Sequence, residues 1–223
     1  MTFKLLVYDL DGTLFETLPD LARSVNQALA FHGHATVAEP EVRRAIGDGA
    51  RILIARLVPA GSSEQEIDRV WTTFREVYET HCADSSYLLP GVERFLEARS
   101  SKDDPPRQAI LTNKPQSPSD LLARRFRLDR WIGKVIGGDT PLGRKPDPAG
   151  MGHLMEWAQA TAAETLMIGD GPADLEVARR AGVRCVLVEG GYGDVRELEG
   201  LPWDWKVTDF LELAELWAEI EAA

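Results

Sequence analysis

Cysteine is scarce in this chain, which has only Cys82 and Cys185 among its 223 residues. So few cysteines argue against a disulfide framework and against a metal site built on thiolates. Cys185 lies in the apolar run 183–188, where we expect it to be a buried core residue. The cysteine content therefore favours a protein of the reducing cytoplasm.

Long apolar runs and an excess of basic residues are also lacking. No stretch approaches the roughly 20 apolar residues that span a bilayer, and the N-terminus has a strand pattern rather than that of a secretory signal. Lys and Arg number 25 against 36 Asp and Glu, a formal net charge of −11. We expect no membrane anchor and no nucleic-acid partner, because a phosphate backbone needs a basic surface. A small phosphorylated molecule remains compatible, since local cations can set the potential of a pocket.

The N-terminal segment joins an apolar strand pattern to two acidic residues. Residues 3–8 are mostly apolar, and Asp9, Asp11 and Gly12 follow them. Alternate residues of an extended chain point the same way, so Asp9 and Asp11 can converge on one site. Two like charges this close are costly unless a cation or a shared proton relieves them, which predicts a metal-assisted site. The alternative is a strand followed by an ordinary Asx-Gly turn.

Strand and helix patterns alternate through the second part of the chain. The predicted strands cover residues 108–112, 134–137, 165–168, 184–188 and 205–207. This alternation indicates an α/β fold with a doubly wound parallel sheet, a Rossmann-like core. Residues 16–87 have mostly helical patterns, and we interpret them as a small all-helical cap domain inserted after the first strand. The catalytic core would then comprise residues 1–15 and 88–223.

Polar residues follow the predicted strands where each strand ends. Thr112 and Asn113 follow one strand, Asp170 and Asp174 follow another, and Lys145 lies in a proline-containing loop between them. Ligands of open α/β sheets bind outside the carboxyl ends of the strands. Together with the N-terminal acids, four segments would bring these side chains to one edge of the sheet.

These segments resemble the motifs of the haloacid dehalogenase-like phosphohydrolases, and within them of the phosphoglycolate phosphatase-like group. Residues 9–13 match the motif Asp-x-Asp-Gly-Thr, Thr112 and Lys145 match the second and third motifs, and residues 169–174 match Gly-Asp-x-x-x-Asp. The resemblance spans nearly the whole chain. It implies a helical cap over a Rossmann-like core and a Mg²⁺-dependent phosphatase.

The resemblance implies catalytic roles for four residues. Asp9 would be the nucleophile that forms an aspartyl-phosphate, and Asp11 the general acid and then the general base. Thr112 would donate a hydrogen bond to a phosphoryl oxygen. Lys145 would neutralise charge on Asp9 and on the transferring group.

The same resemblance implies an oxygen-only Mg²⁺ site. Asp9 and Asp170 would bind the ion through their side chains, Asp11 through its backbone carbonyl, and Asp174 indirectly. Alternatively, Asp174 is simply an acid in the first turn of a helix. Residues 171–172, Gly-Pro, replace the Ser-plus-polar pair more usual at that place.

Substrate contacts are expected from three loops. Gly12 and Thr13 would shape a loop whose backbone N–H groups reach the phosphate, and Asn113 would add a donor. Gly47 and Arg43 match the cap loop of the family, in which an arginine could bind a substrate carboxylate bidentately. For any single arginine there, the alternative is a solvated helix end.

Phosphoglycolate is the substrate that the subgroup resemblance implies. A sugar-phosphate mutase would use the same motifs, and a non-catalytic binding or regulatory protein could share the fold. A haloacid dehalogenase would need neither a metal nor an acid at position 11. The sequence leaves the oligomeric state open.

Overall fold

The computed structural model describes residues 3–101, 103–193, 198 and 200–222. The strands are β1 Leu5–Tyr8, β2 Phe15–Glu16, β3 Tyr87–Leu88, β4 Arg107–Leu111, β5 Ile132–Ile136, β6 Thr165–Gly169, β7 Arg184–Val188 and β8 Trp205–Val207. The helices are α1 Leu18–Phe31, α2 Glu39–Ala45, α3 Ala50–Leu57, α4 Glu64–His81, α5 Val92–Ser100, α6 Gln116–Arg125, α7 Ala149–Ala158, α8 Pro172–Ala181 and α9 Phe210–Ala222. No helix in these ranges has the length and apolar character needed to cross a membrane.

Six strands form a parallel sheet in the order β5-β4-β1-β6-β7-β8. β1 is central, and its Val7 pairs with Ala109 of β4 on one side and with Met167 of β6 on the other. The predicted α/β class is confirmed. The predicted strands shift by at most two residues, the largest shift being at β5, which begins at Ile132.

Apolar residues of β1 alternate between the two faces of the sheet, as expected for a strand covered by helices on both sides. Leu6 and Tyr8 share an apolar cluster with residues of α5 and α9. Leu5 and Val7 share a second cluster with residues of α7 and α8. The sheet is therefore doubly wound, with helices packed on both of its faces.

Helices α1 to α4 lie between two short strands that the sequence pattern did not predict. β2 and β3 pair antiparallel, with Phe15 opposite Leu88. Within the segment α1 packs on α4, and Val25 and Phe74 are buried in the same apolar cluster as one face of the sheet. The β2–β3 pair brings both ends of the helical segment together near the carboxyl end of β1. The division at residues 16 and 87 itself stays a prediction.

Candidate active site

Neighbouring strands deliver polar side chains to one edge of the sheet. Asp9 follows β1, Thr112 follows β4 and Asp170 follows β6. These three strands are adjacent and parallel, so their carboxyl ends meet. The backbone N–H of Asp9 donates to the carbonyl of Ile168 at 3.0 Å, which extends the β1–β6 ladder to the site itself. The site therefore lies directly on the hydrogen-bonded centre of the sheet.

Asp9, Asp170 and Asp174 form an acidic cluster in which one carboxylate oxygen of each lies within 4.8 Å of the others. Lys145 contributes one ammonium, 2.8 Å from Asp9 Oδ1 and 2.6 Å from Asp174 Oδ1. The contact between Lys145 Nζ and the buried Oδ1 of Asp9 is an ion pair. Three carboxylates against one ammonium leave excess negative charge. This all-oxygen donor set fits a hard divalent cation.

Two donors fix the carboxylate of Asp170. Thr13 Oγ1 donates to its Oδ1 at 2.5 Å, and the backbone N–H of Tyr192 donates to its Oδ2 at 2.7 Å. Burial, followed by the charges of Asp9 and Asp174, raises the pKa of Asp170 to about 7 against these two hydrogen bonds. A cation bound here would take the place of the proton that relieves the repulsion.

Asp9 and Lys145 form the charged centre of the site. Burial raises the pKa of Asp9 to about 6, although the Lys145 ammonium opposes the shift. Burial alone would lower the pKa of Lys145, but the charges of Asp174 and Asp9 outweigh it and raise that pKa. Lys145 is therefore a cation at neutral pH, and it lies against Asp9, the position that its expected role requires.

Asp174 lies in the first turn of α8, and both its oxygens are engaged. Oδ1 accepts a hydrogen bond from Lys145 Nζ at 2.6 Å, and Oδ2 accepts one from the backbone N–H of Gly171 at 3.0 Å. A Cβ at Gly169 would lie 2.3 Å from Cγ of Asp174, so the glycine lets this carboxylate approach the strand end closely. Asp174 thus orients Lys145 and also closes the turn that leads into α8.

Asp11 is held by two side chains from separate segments. Thr17 Oγ1 donates to Asp11 Oδ1 at 2.7 Å. Lys114 Nζ donates to the same oxygen at 2.9 Å and to Oδ2 at 3.2 Å. No role of Lys114 was predicted from the sequence, although it lies two residues past Thr112. The sequence feature that could have indicated a role is a lysine in a loop that follows a strand.

Thr112 and Asn113 have different surroundings on the cavity wall. Thr112 Oγ1 accepts the N–H of Lys114 at 3.2 Å and keeps its own hydrogen for another acceptor. The side-chain amide of Asn113 donates to the carbonyl of Gly47 at 2.9 Å and to that of Lys145 at 3.1 Å. Both amide hydrogens are therefore used within the protein. The expected hydrogen bond from Asn113 to a substrate phosphate stays a prediction, and it would have to replace one of these two bonds.

Gly12 and Thr13 lie beneath the acidic cluster and do not line the cavity. Gly12 has φ +81°, and a Cβ there would lie 2.6 Å from Asp170 Oδ2 and 2.9 Å from the nitrogen of Tyr192. Its N–H donates to the carbonyl of Phe15 at 2.8 Å, and the Thr13 side chain is fully buried against Asp170. These two residues shape the carboxylate cluster, and their expected role in a loop that reaches the phosphate stays a prediction.

Arg43 of α2 reaches across to the loop that follows β7. Its Nη2 donates to the carbonyl of Gly190 at 2.9 Å and to that of Gly191. Its guanidinium lies 5.0 Å from the centre of the Tyr192 ring. Arg43 also lines the cavity, and its expected contact with a substrate carboxylate stays a prediction. Gly47, in the loop between α2 and α3, lines the cavity.

Tyr192 is a second residue that the sequence analysis missed. Its hydroxyl accepts the N–H groups of Thr17 at 2.8 Å and Leu18 at 2.9 Å, and it donates to the carboxylate of Glu16. Burial, followed by the bond to Glu16, raises the pKa of Tyr192, so the phenol stays protonated. One side chain thus joins the loop after β7 to the start of α1. An aromatic residue in a glycine-rich loop gives no sequence signal of such a role.

A cavity of about 440 Å³ lies over this edge of the sheet. Its floor includes Asp9, Asp11, Thr112 and Lys145. Its roof comes from the helical segment and includes Leu21, Ile46, Leu53, Phe74, Tyr78 and the arginines at 43, 44 and 56. The volume is within the range of roughly 300–1,000 Å³ found for small-molecule sites.

Known proteins are similar to this chain in sequence and in architecture. A sequence model of haloacid dehalogenase-like hydrolases matches residues 6–188. The phosphoglycolate phosphatase of Pseudomonas fluorescens Pf-5 is 33% identical over 199 residues, 87% of this chain and 72% of that protein. That of Rhodospirillum rubrum is 34% identical over 196 residues, 85% of this chain and 80% of that protein. A crystal structure of a predicted phosphoglycolate phosphatase from Haemophilus somnus 129PT has a TM-score of 0.89 at 30% identity, over 97% of this chain and 98% of that one.

Proposed function

The chain belongs to the haloacid dehalogenase-like hydrolase family and to its phosphoglycolate phosphatase-like group, and from this membership we propose that it hydrolyses phosphoglycolate with Mg²⁺ and Asp9 as nucleophile. It is a phosphatase, a phosphoric monoester hydrolase. The observation that carries the proposal is the position of Asp9 on the cavity floor. There it lies in contact with Lys145 and within 4.8 Å of two further carboxylates.

The proposed reaction has two steps. First, a carboxylate oxygen of Asp9 attacks phosphorus, the bond from phosphorus to the ester oxygen breaks, and Asp11 gives its proton to that oxygen. Glycolate then leaves as the free alcohol. In the second step Asp11 takes a proton from a water molecule whose oxygen attacks the aspartyl-phosphate. Inorganic phosphate and the Asp9 carboxylate are released, and Asp11 is protonated again.

Charge neutralisation is the main task of the remaining residues, because phosphoryl transfer depends on positioning and electrostatics more than on covalent chemistry. Lys145 faces Asp9 and would offset charge on both the nucleophile and the phosphoryl group. Thr112 retains a hydroxyl hydrogen at the cavity wall and would donate it to a phosphoryl oxygen.

Asp9, Asp170 and the backbone carbonyl of Asp11 would hold the Mg²⁺ ion, and Asp174 would act indirectly through Lys145. The uncompensated charge of the three carboxylates and their all-oxygen donor set support this assignment. When bound, the cation offsets the repulsion between Asp9 and an anionic phosphate.

The helical roof of the cavity supports a small substrate. Residues 16–87 would act as a cap that excludes water from the reacting groups, and polymeric phosphates would fit poorly. The names of the relatives favour phosphoglycolate among small phosphate esters. A cytoplasmic location and the lack of a nucleic-acid partner stay predictions from composition.

The test is phosphate release from a panel of small phosphorylated metabolites, with Mg²⁺ and with chelator, beside the Asp9→Asn variant. Strong Mg²⁺-dependent release from phosphoglycolate alone would support substrate, cofactor and nucleophile together. Weak release across many sugar phosphates and nucleotides would keep the chemistry and reject the substrate. Interconversion of sugar phosphates without net release would replace hydrolysis by the mutase alternative.

A further inference from the structure

Lys114 is a buried cation that contacts Asp11 and the side chain of Tyr78. It is 5% exposed, and its side chain lines the cavity beside Asp11. Its ammonium donates to both oxygens of Asp11 and to the hydroxyl of Tyr78 at 2.5 Å, and it lies 4.6 Å from the centre of the Tyr78 ring. A buried ammonium needs partners of this kind to offset its desolvation.

The contacts are asymmetric between the two oxygens of Asp11. Oδ1 accepts the shorter bonds, from Thr17 at 2.7 Å and from Lys114 at 2.9 Å. Among the residues that the structure describes, Oδ2 has one donor, Lys114, at 3.2 Å. A carboxylate held at one oxygen by two donors has little rotational freedom. Its other oxygen keeps the capacity to carry a proton to a reacting group.

We propose that Lys114 is a positioning residue that orients Asp11 for proton transfer to the leaving oxygen, and that Tyr78 anchors Lys114 in that position. The proposal rests on the proposed function, because it takes Asp11 as the general acid. Asp11 and Lys114 come from different strand ends, and Tyr78 comes from α4 of the helical segment. Asp11 is therefore oriented by residues from the sheet and from the helical segment.

The leaving group distinguishes this role from a general effect on the fold. Protonation of the leaving oxygen matters for an alkyl phosphate and little for an aryl phosphate, whose phenolate departs without a proton. We expect Lys114→Met to lower kcat for phosphoglycolate by about 10²-fold, the cost of a misplaced catalytic group, with a much smaller loss for 4-nitrophenyl phosphate. Tyr78→Phe keeps the ring and removes one acceptor, so we expect a smaller loss with the same substrate dependence.

A double-mutant cycle tests whether Lys114 acts through Asp11. In an Asp11→Ala background, Lys114→Met should cause no further loss of kcat, because the group that it orients is gone. Lys206→Met is the matched control, since Lys206 pairs with Glu189 on the surface away from the cavity. Lys206→Met should leave kcat unchanged for phosphoglycolate and for 4-nitrophenyl phosphate.

Three kinetic results would overturn the proposal. One is an equal loss on alkyl and aryl substrates. Another is a full additional loss in the Asp11→Ala background. The last is a rise in KM for phosphoglycolate with kcat unchanged, which would assign Lys114 to the substrate carboxylate instead.

Crystal structures of wild type and Lys114→Met give a readout that needs no turnover. The Asp11 carboxylate should rotate away from its present position, and an unmoved carboxylate would reject the positioning role. Inactivity of the wild type towards every phosphate would reject the proposed function separately.

Discussion

The guanidinium of Arg43 lies over the ring of Tyr192, 5.0 Å from its centre, and joins the helical segment to the loop that follows β7. In the same loop, the N–H of Tyr192 donates a hydrogen bond to Asp170. The carbonyls of Gly190 and Gly191 accept hydrogen bonds from Arg43. One short loop therefore contacts both the acidic cluster and the roof of the cavity. We therefore interpret Arg43 as a residue that holds the helical segment against this loop.

Replacement of Arg43 tests this interpretation. Arg43→Ala should lower kcat/KM for phosphoglycolate and for an aryl phosphate by similar factors, because it loosens the roof for every substrate. The measurement is the ratio of the two values in each variant. Arg51→Ala is the control, because Arg51 pairs with Glu64 and Asp68 on the surface and should change neither value. A loss confined to phosphoglycolate would support the carboxylate-binding role.

Asp9→Asn should abolish turnover and leave the fold intact. The loss of kcat should be on the order of 10³-fold or more, since a neutral amide cannot replace the nucleophile. The melting temperature at neutral pH should stay the same or rise slightly, because a buried charge with a raised pKa is removed. Phosphate release and thermal unfolding are measured on the same sample. Near-normal turnover would remove Asp9 from its role.

Mg²⁺ should stabilise the protein more at high pH than at low pH. The pKa values of Asp9 and Asp170 are raised from 3.8 to about 6 and about 7. Their charges destabilise the fold, and this cost is absent below pH 3.8, grows as pH rises through the folded pKa values, and is fully present above them. The rise in melting temperature on adding Mg²⁺ should therefore be larger at about pH 8 than at about pH 5.

Two variants control the Mg²⁺ experiment. Asp170→Asn should lose most of the Mg²⁺-dependent rise in melting temperature, because it removes one direct ligand. Glu176→Gln, on the exposed side of α8 where Glu176 pairs with Arg179, should keep it. An equal Mg²⁺ effect at both pH values would place the ion elsewhere.

Gly12→Ala should weaken Mg²⁺ binding as well as the fold. Its φ of +81° strains any other residue, and the new Cβ would press on Asp170 Oδ2 at 2.6 Å. Gly33→Ala is the matched control, because Gly33 has φ +77° and nothing within 4 Å of a Cβ. Each variant should lose about 1–2 kcal/mol from left-handed strain. Only Gly12→Ala should lose further stability and require more Mg²⁺ for half-maximal activity, and identical behaviour of the two would argue against the steric effect on Asp170.

Local patterns in the sequence were enough to predict the α/β class and the edge of the sheet that carries the acidic residues. A buried parallel strand needs a continuous apolar run, and the residue after it must lie at the carboxyl end of the sheet. The run ending at Tyr8 placed Asp9 in this way, and the predicted strand 165–168 placed Asp170 two residues past its end. Motif order and the resemblance to a family then supplied their expected roles.

Tertiary structure alone decided which side chains those residues meet. Lys114 is 103 residues from Asp11 in the chain, and Gly190 is 147 residues from Arg43. Asn113 and Arg43 had donors suited to a phosphate or a carboxylate, but the fold gives those donors to backbone carbonyls. A hydrogen bond between distant segments leaves no periodic pattern in either one. Strand ends can therefore be predicted from the chain, whereas the partners that orient Asp11 and Asp170 emerge only when the loops pack together.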